Sequence, residues 1–132
     1  MLQSIREGSR LTVRLAGELD HCCAVSVRRE LDRLIADPSI RMLILDFSVL
    51  QFMDSSGIGV ILGRYRQMRD RGGSVAVVNM NRHIARIFHM SGMDRIIRHI
   101  DRPQEAAKAR RSATKWKPPS SPFRKTRALR AW

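Results

Sequence analysis

The side chains with the clearest chemical potential in this 132-residue chain are Asp54-Ser55-Ser56-Gly57. An apolar run over residues 42–45 predicts a buried strand just before them. Apolar residues recur at helical spacing after Ser56, which predicts a helix (Ile58, Ile61, Leu62, Tyr65 and Met68). The two hydroxyls therefore stand where a loop becomes a helix, and the amides of a first helical turn stabilise negative charge. The position suits a helix cap, and it also suits a serine that receives a phosphate.

Catalytic alternatives fit this region poorly. Ser56 does not lie in a Gly-x-Ser-x-Gly elbow, and the sequence places no histidine beside it as a base (His83, His89 and His99 all follow it). The glycines over 57–63 have one residue too many for a dinucleotide fingerprint and lack the Lys-Ser/Thr end of a phosphate loop. We predict no enzyme and no cofactor, with a Ser56 hydrolase as the alternative to test. Gly59 and Gly63 are predicted to let the helix approach a neighbour closely.

The two cysteines, Cys22 and Cys23, are adjacent in sequence. Neighbouring cysteines rarely pair, so we expect free, partly buried thiols in a reducing compartment. His21 precedes them, but three contiguous residues do not match the spacing of zinc ligands. We therefore predict no metal site.

The net charge of +13 is unevenly distributed. Residues 108–132 contain nine of the 25 basic residues and no acidic one, so residues 1–107 carry only +4. Pro118, Pro119 and Pro122 interrupt this basic segment, which has no sustained apolar period. We predict a folded domain over 1–107 and a disordered tail over 108–132. The tail is either simply solvated or binds nucleic acid or an anionic membrane through its basic and aromatic residues.

No apolar run approaches the length of a membrane span, and the start of the chain does not resemble a signal peptide. We therefore expect a cytoplasmic protein.

Strand and helix patterns alternate along the chain. A strand over 11–16 ends at Gly17, and a helix begins at Asp20 and stops before Pro38. Further strands are predicted over 42–46, 74–79 and near 96–100, and helices over 56–70, 81–90 and 104–111, with Gly72-Gly73 as a C-cap. This alternation with short connections predicts an α/β layered fold.

The motif and its surroundings resemble STAS domains, which sulphate transporters share with bacterial anti-sigma factor antagonists. The similarity is greatest to the anti-sigma-F antagonists of spore-forming bacilli, and it covers about residues 8–105. The residues that carry it are Leu15-Ala16-Gly17-Glu18-Leu19-Asp20-His21, Leu43-Ile44-Leu45-Asp46, Asp54-Ser55-Ser56-Gly57, Gly59-Val60-Ile61-Leu62-Gly63-Arg64-Tyr65, Gly72-Gly73 and Arg86-Ile87-Phe88-His89-Met90-Ser91-Gly92-Met93. The similarity ends near Lys108, where the family continues a closing helix.

The resemblance implies a mixed sheet of four or five strands with helices mainly on one face. It implies a protein that binds an anti-sigma factor, itself a serine kinase that uses ATP, and thereby releases a sigma factor in sporulation or the stress response. Aligning Asp-Ser-Ser-Gly places the phosphorylated serine at Ser56, and a PP2C-type phosphatase would reverse the modification. A different role within the family is that of a scaffold in a stress-sensing assembly.

The partner-binding surface expected from the motif and the resemblance consists of Asp20, His21, Asp54, Ser55, Gly57 and Ile58. Several of these residues also have a purely structural interpretation. Ser55 and Asp20 suit helix caps, and Ile58 suits the core. Gly57 is expected to leave the neighbouring hydroxyl unshielded. The arginines at 64, 66, 69 and 71 are most simply a solvated face, or else contacts for an acidic partner.

Overall fold

The computed structural model describes residues 2–100 and the backbone of residues 124–125. The elements are β1 (Leu2–Glu7), β2 (Arg10–Leu19), α1 (His21–Leu34), β3 (Met42–Met53), α2 (Ser55–Asp70), β4 (Ser74–Val78), α3 (Arg82–Met90), β5 (Arg98–Ile100) and β6 (Arg124–Lys125). A single 3₁₀ turn, Met93–Arg95, lies between α3 and β5.

The strands form one mixed sheet in the order β5-β4-β3-β2-β1-β6. Strands β2 to β5 are parallel, and β1 is antiparallel to both β2 and β6. Residues 2–100 thus supply five strands, which confirms the predicted mixed α/β sheet, and β6 adds a pairing of two residues. The sequence patterns did not predict β1, and they ended β3 seven residues before its observed end at Met53.

The core lies between one face of the sheet and the helices. Alternate residues of the inner strands are almost fully buried on this face, among them Val13, Leu43, Leu45 and Val77. Leu31, Ile61 and Phe88 supply the corresponding buried side chains of the three helices. This arrangement confirms helices on one face, and Val25 of α1 points away from the core, since it is 46% exposed.

Each helix begins at a side-chain cap. Asp20 accepts a hydrogen bond from the Cys23 amide, Asp54 from the Ser56 amide and Asn81 from the Ile84 amide. Helix α2 ends at Asp70, and the predicted Gly72 terminates it in a left-handed conformation with φ of +78°. The Gly72 amide donates to Arg69 O and the Gly73 amide to Met68 O, the pairing of a Schellman motif.

Some predictions fall on parts of the chain that the structure does not describe. The helix over 104–111, the boundary between residues 107 and 108 and most of the tail lie outside the described residues. Within the tail only Arg124–Lys125 is described, where the backbone pairs with Gln3 and Ser4 of β1.

Candidate functional site

The loops that follow β2 and β3 lie side by side because these neighbouring strands are parallel and end together, with Leu19 opposite Met53. Asp20 follows the first strand and caps α1, while Asp54 follows the second and caps α2. The two helix starts carrying most of the predicted partner-binding residues are therefore adjacent at one edge of the sheet.

Asp54 joins these two helix starts. Its Oδ1 atom accepts a hydrogen bond of 2.8 Å from the Ser56 amide, and its Oδ2 atom accepts one of 3.3 Å from the His21 amide. The carboxylate therefore sits among amide donors of both first turns, where the helix dipoles favour negative charge. The sequence identified each residue of this bridge but not the link between them, because His21 and Asp54 are 33 positions apart.

Ser55 and Ser56 occupy the first and second positions of α2. Ser55 is exposed and Ser56 half-buried. The interpretation of Ser55 as a helix cap is wrong, because Asp54 supplies the cap and α2 begins one residue earlier than predicted. Within the described residues the Ser56 hydroxyl has no hydrogen-bond partner, so it is available for chemistry.

Gly57 is buried against the end of β2. A Cβ atom at this position would lie 2.5 Å from Met53 Cγ, 2.9 Å from Leu19 O and 3.0 Å from Leu19 Cγ. Glycine is therefore required for α2 to approach the sheet closely at its first turn. This packing role is additional to the expected one, and the expectation that Gly57 leaves the serine hydroxyl unshielded stays a prediction.

Close helix packing was expected at Gly59 and Gly63, not at Gly57. A Cβ atom at Gly59 or Gly63 would meet no atom within 4 Å. That prediction is wrong, because the space in front of both glycines is open.

Three further predicted residues border the two helix starts. His21 is exposed at the first position of α1. Ile58 is half-buried and packs against the core. One part of its side chain therefore contributes to the core, and the rest is accessible to a partner. Asp20 is half-buried and accepts the Cys23 amide at 3.1 Å.

The two thiols differ in environment. Burial and the neighbouring Asp20 carboxylate raise the pKa of Cys23 above its ordinary value. Cys22 is exposed, contrary to the expectation of two partly buried thiols, and its Sγ atom lies 3.9 Å from Nδ1 of His21.

Arg64 was assigned with three other arginines to a solvated face, and this is wrong. Its side chain is 6% exposed and lies between α1 and α2, with Nε 3.0 Å from Oδ1 of Asp32. Arg66 and Arg69 are exposed as expected, whereas Arg71 is half-buried and donates to the carbonyls of Asp37 and Ile40.

The histidines considered as catalytic bases contact other groups. His83 stacks on Phe52 with ring centroids 5.3 Å apart, and His89 pairs with Asp94 at 2.5 Å. In the described part of the chain no three or more His, Cys, Asp or Glu side chains form a group suited to a metal ion. No helix among those residues is long and apolar enough to cross a membrane.

Comparison with known proteins agrees with this architecture and motif. Residues 3–107 match the STAS domain family. The chain belongs to this family. The anti-sigma F factor antagonist of Paenibacillus polymyxa is 45% identical over 87 residues, which cover 66% of this chain and 74% of that protein.

Two solved structures of the antagonist SpoIIAA share the fold of this STAS chain. The structure of the unphosphorylated form aligns with a TM-score of 0.71 and 29% identity, covering 86% of this chain and 97% of SpoIIAA. The structure of the phosphorylated form of this Bacillus protein aligns with a TM-score of 0.65 and 30% identity, covering 83% of this chain and 98% of SpoIIAA. The resemblance identified from the sequence motifs is thereby confirmed at the level of family and fold.

Proposed function

We propose that this STAS protein is a cytoplasmic anti-sigma factor antagonist that is switched by phosphorylation. It binds an anti-sigma factor serine kinase and so releases a sigma factor. The kinase inactivates it by phosphorylating Ser56, and a PP2C-type phosphatase restores it. The observation that carries this proposal is the free Ser56 hydroxyl at the start of α2, beside the start of α1. Its family includes SpoIIAA, for which a phosphorylated form is known.

The surroundings of Ser56 make a phosphate there disruptive for binding. A phosphoserine carries about −1.5 to −2 charges at pH 7. The Ser56 amide is already bonded to the Asp54 carboxylate, so a phosphate would compete with that carboxylate for the same helix start and repel it. The perturbation would reach His21, because its amide is held by the other oxygen of Asp54.

The fold itself should survive this modification. Helix α2 is held mainly by buried side chains further along its length, including Val60, Ile61 and Met68. Losing the cap of one helix typically costs about 1 kcal/mol, which is small beside the burial of these residues. A modification that changes the surface and spares the core is suited to a reversible switch.

The proposed partner surface combines both helix starts. Ser55 and His21 are exposed, and Asp20, Asp54 and Ile58 are half-buried around them. Gly57 contributes by keeping α2 close to the end of β2. A kinase that docks on this surface would have the Ser56 hydroxyl within its contact area, so binding and modification would use the same face.

The test uses the anti-sigma F factor that the Paenibacillus polymyxa relative antagonises, with labelled ATP. The wild-type chain and the matched control Ser55→Ala should be labelled, whereas Ser56→Ala should not. A PP2C-type phosphatase should remove the label. Ser56→Asp should weaken binding at least a hundredfold, which corresponds to about 3 kcal/mol. Labelling of Ser56→Ala, or equal binding by wild type and Ser56→Asp, would contradict the proposal.

A further inference from the structure

The outer side of α3 carries basic and apolar side chains in one line. Arg82, Arg86 and Met90 follow one another at intervals of four residues and therefore share one side of the helix. All three are exposed, and Met90 is 76% exposed. The opposite side of α3 is held in the core by Ile84 and Phe88, so the line faces away from the sheet.

The turn that follows α3 extends this line. Nδ1 of His89 and Oδ2 of Asp94 lie 2.5 Å apart, which holds the 3₁₀ turn against the last turn of α3. Arg95 and Ile96 come next, and both are exposed, Ile96 by 45%. We name this surface the α3 ridge; it consists of Arg82, Arg86, Met90, Arg95 and Ile96.

Neighbouring residues do not neutralise the positive charge of the α3 ridge. Its three arginines have no ion pair or hydrogen bond with any residue that the structure describes. Other arginines of the chain do have a carboxylate beside them (Arg6, Arg14, Arg33, Arg64 and Arg69). Residues 71–100 contain five arginines and a single acidic residue, Asp94. Because that carboxylate is engaged by His89, the ridge is complementary to an anionic surface.

We propose that the α3 ridge binds the surface of a membrane that contains anionic phospholipids. Arginine pairs well with phosphate groups, because its planar guanidinium donates two parallel hydrogen bonds. Each basic residue held near such a surface strengthens binding about fivefold. Met90 and Ile96 enter the boundary between head groups and acyl chains, as apolar side chains of peripheral membrane proteins do.

The exposed apolar side chains favour a membrane over other anionic partners. A nucleic acid offers phosphates to the arginines but no apolar layer for Met90, which is the most exposed of the large hydrophobic side chains described. An acidic protein would need a pocket shaped for this side chain, whereas a bilayer accepts any apolar group that protrudes into it. The ridge lies on the outer side of a helix, so it meets a broad surface without a matching groove.

This inference is independent of the proposed function, because it involves neither Ser56 nor the two helix starts beside it. It also differs from the sequence-based interpretation of the basic tail, since the α3 ridge belongs to the folded part of the chain. The two are separated by variants that leave the tail unchanged.

The test measures binding of the full chain to vesicles by co-sedimentation at about 0.1 M salt. Vesicles of phosphatidylcholine with phosphatidylglycerol should bind the wild-type chain, and vesicles of phosphatidylcholine alone should not. The double variant Arg82→Gln/Arg86→Gln should bind the anionic vesicles roughly 30-fold more weakly. Met90→Ser, which leaves the charge unchanged, should weaken binding roughly fivefold because an apolar side chain is lost from the boundary layer.

Arg28→Gln/Arg29→Gln is the matched control, because it removes the same charge from two exposed arginines of α1. Its affinity should stay within about threefold of wild type, since salt screens charges that do not touch the lipid. Should the α3 double variant fail to fold by circular dichroism, Met90→Ser decides alone.

Three outcomes would overturn the α3 ridge as a membrane contact. Equal weakening by the two double variants would show that net charge alone, with the tail included, accounts for binding. Undiminished binding by Met90→Ser would show that no side chain of the ridge enters the lipid. Absence of wild-type binding to anionic vesicles, with binding to a DNA duplex or to polyglutamate that depends on Arg82 and Arg86, would assign the ridge to that partner instead.

Discussion

Alanine substitution at two glycines of α2, only two residues apart, should change stability in opposite directions. Gly57→Ala places a methyl group 2.9 Å from Leu19 O and 2.5 Å from Met53 Cγ, both in the packed interior. Gly59→Ala places the same group where no atom lies within 4 Å. Both variants gain the same helix propensity, so the difference between them isolates the cost of the close approach at Gly57.

The expected magnitudes follow from these contacts. Alanine is favoured over glycine inside a helix by about 1 kcal/mol. Overpacking in a core costs about 1–3 kcal/mol, and the upper end applies to Gly57. Leu19 O is backbone fixed by the pairing of β2 with β3, so it has little freedom to move away. Gly57→Ala should therefore lose about 2 kcal/mol and Gly59→Ala should gain about 1 kcal/mol.

Thermal and urea unfolding of both variants would measure this difference. A domain of about 100 residues changes its Tm by roughly 4–8 °C per kcal/mol. We expect the Tm to fall by about 10 °C for Gly57→Ala and to rise by about 5 °C for Gly59→Ala. The reasoning is refuted if Gly57→Ala is as stable as Gly59→Ala, because the approach of α2 to β2 would then not depend on the missing side chain.

Three further predictions concern single groups. Asp54→Ala should lower the free energy of unfolding by about 1–2 kcal/mol in urea titrations, because it removes the cap of α2; an unchanged midpoint would argue against the bridge. The Asp37 carboxylate is bonded to Arg6 and Ser39, which holds its pKa well below the ordinary 3.8. Its contribution is therefore present above that pH and lost below it, so Asp37→Asn should reduce the Tm slightly at pH 7 and converge with wild type in acid. A difference in Tm between the variant and wild type that persists in acid would contradict this account of Asp37. In the folded chain a thiol reagent should modify Cys22 quickly and Cys23 slowly, because burial raises the pKa of Cys23. Mass spectrometry would follow the modification of each cysteine over time. Equal rates would show that the two thiols have similar environments.

The three helices and the inner strands followed from hydrophobic periodicity, because each buries one regular face of its sequence. Strand β1 did not, for a physical reason visible in its pairing with β2. Leu2 and Ser4 face the core, opposite Leu15 and Val13, while Ile5 faces the other side. With a buried serine on the apolar side, the strand lacks the alternation that marks a half-buried strand.

Arg64 shows a signal that was present in the sequence and misinterpreted. It follows Val60 by four residues and precedes Met68 by four, and both are buried. Arg66 points to a different side of the helix, so grouping these arginines as one charged face ignored the helical period. The open space at Gly59 and Gly63 could not be predicted in this way, because the sequence alone does not show which elements, if any, lie opposite a glycine.

The site itself was predicted residue by residue, but its assembly was not. The motif places Ser56 at a helix start, and the parallel order of β2 and β3 then sets that start beside His21. The link through Asp54 depends on the relative position of two loops that are distant in sequence. Local pattern carries no information about such a contact.

The bridge at Asp54 restricts which residues this position tolerates. Asparagine, serine and threonine cap single helices about as well as aspartate does, but each offers one acceptor oxygen. Asp20, whose side chain serves one helix through Oδ1, should accept these replacements at little cost. Asp54 serves two helices through two oxygens, so any of the same replacements would leave one helix start without its acceptor. The stability of the two helix starts should therefore restrict position 54 more tightly than position 20.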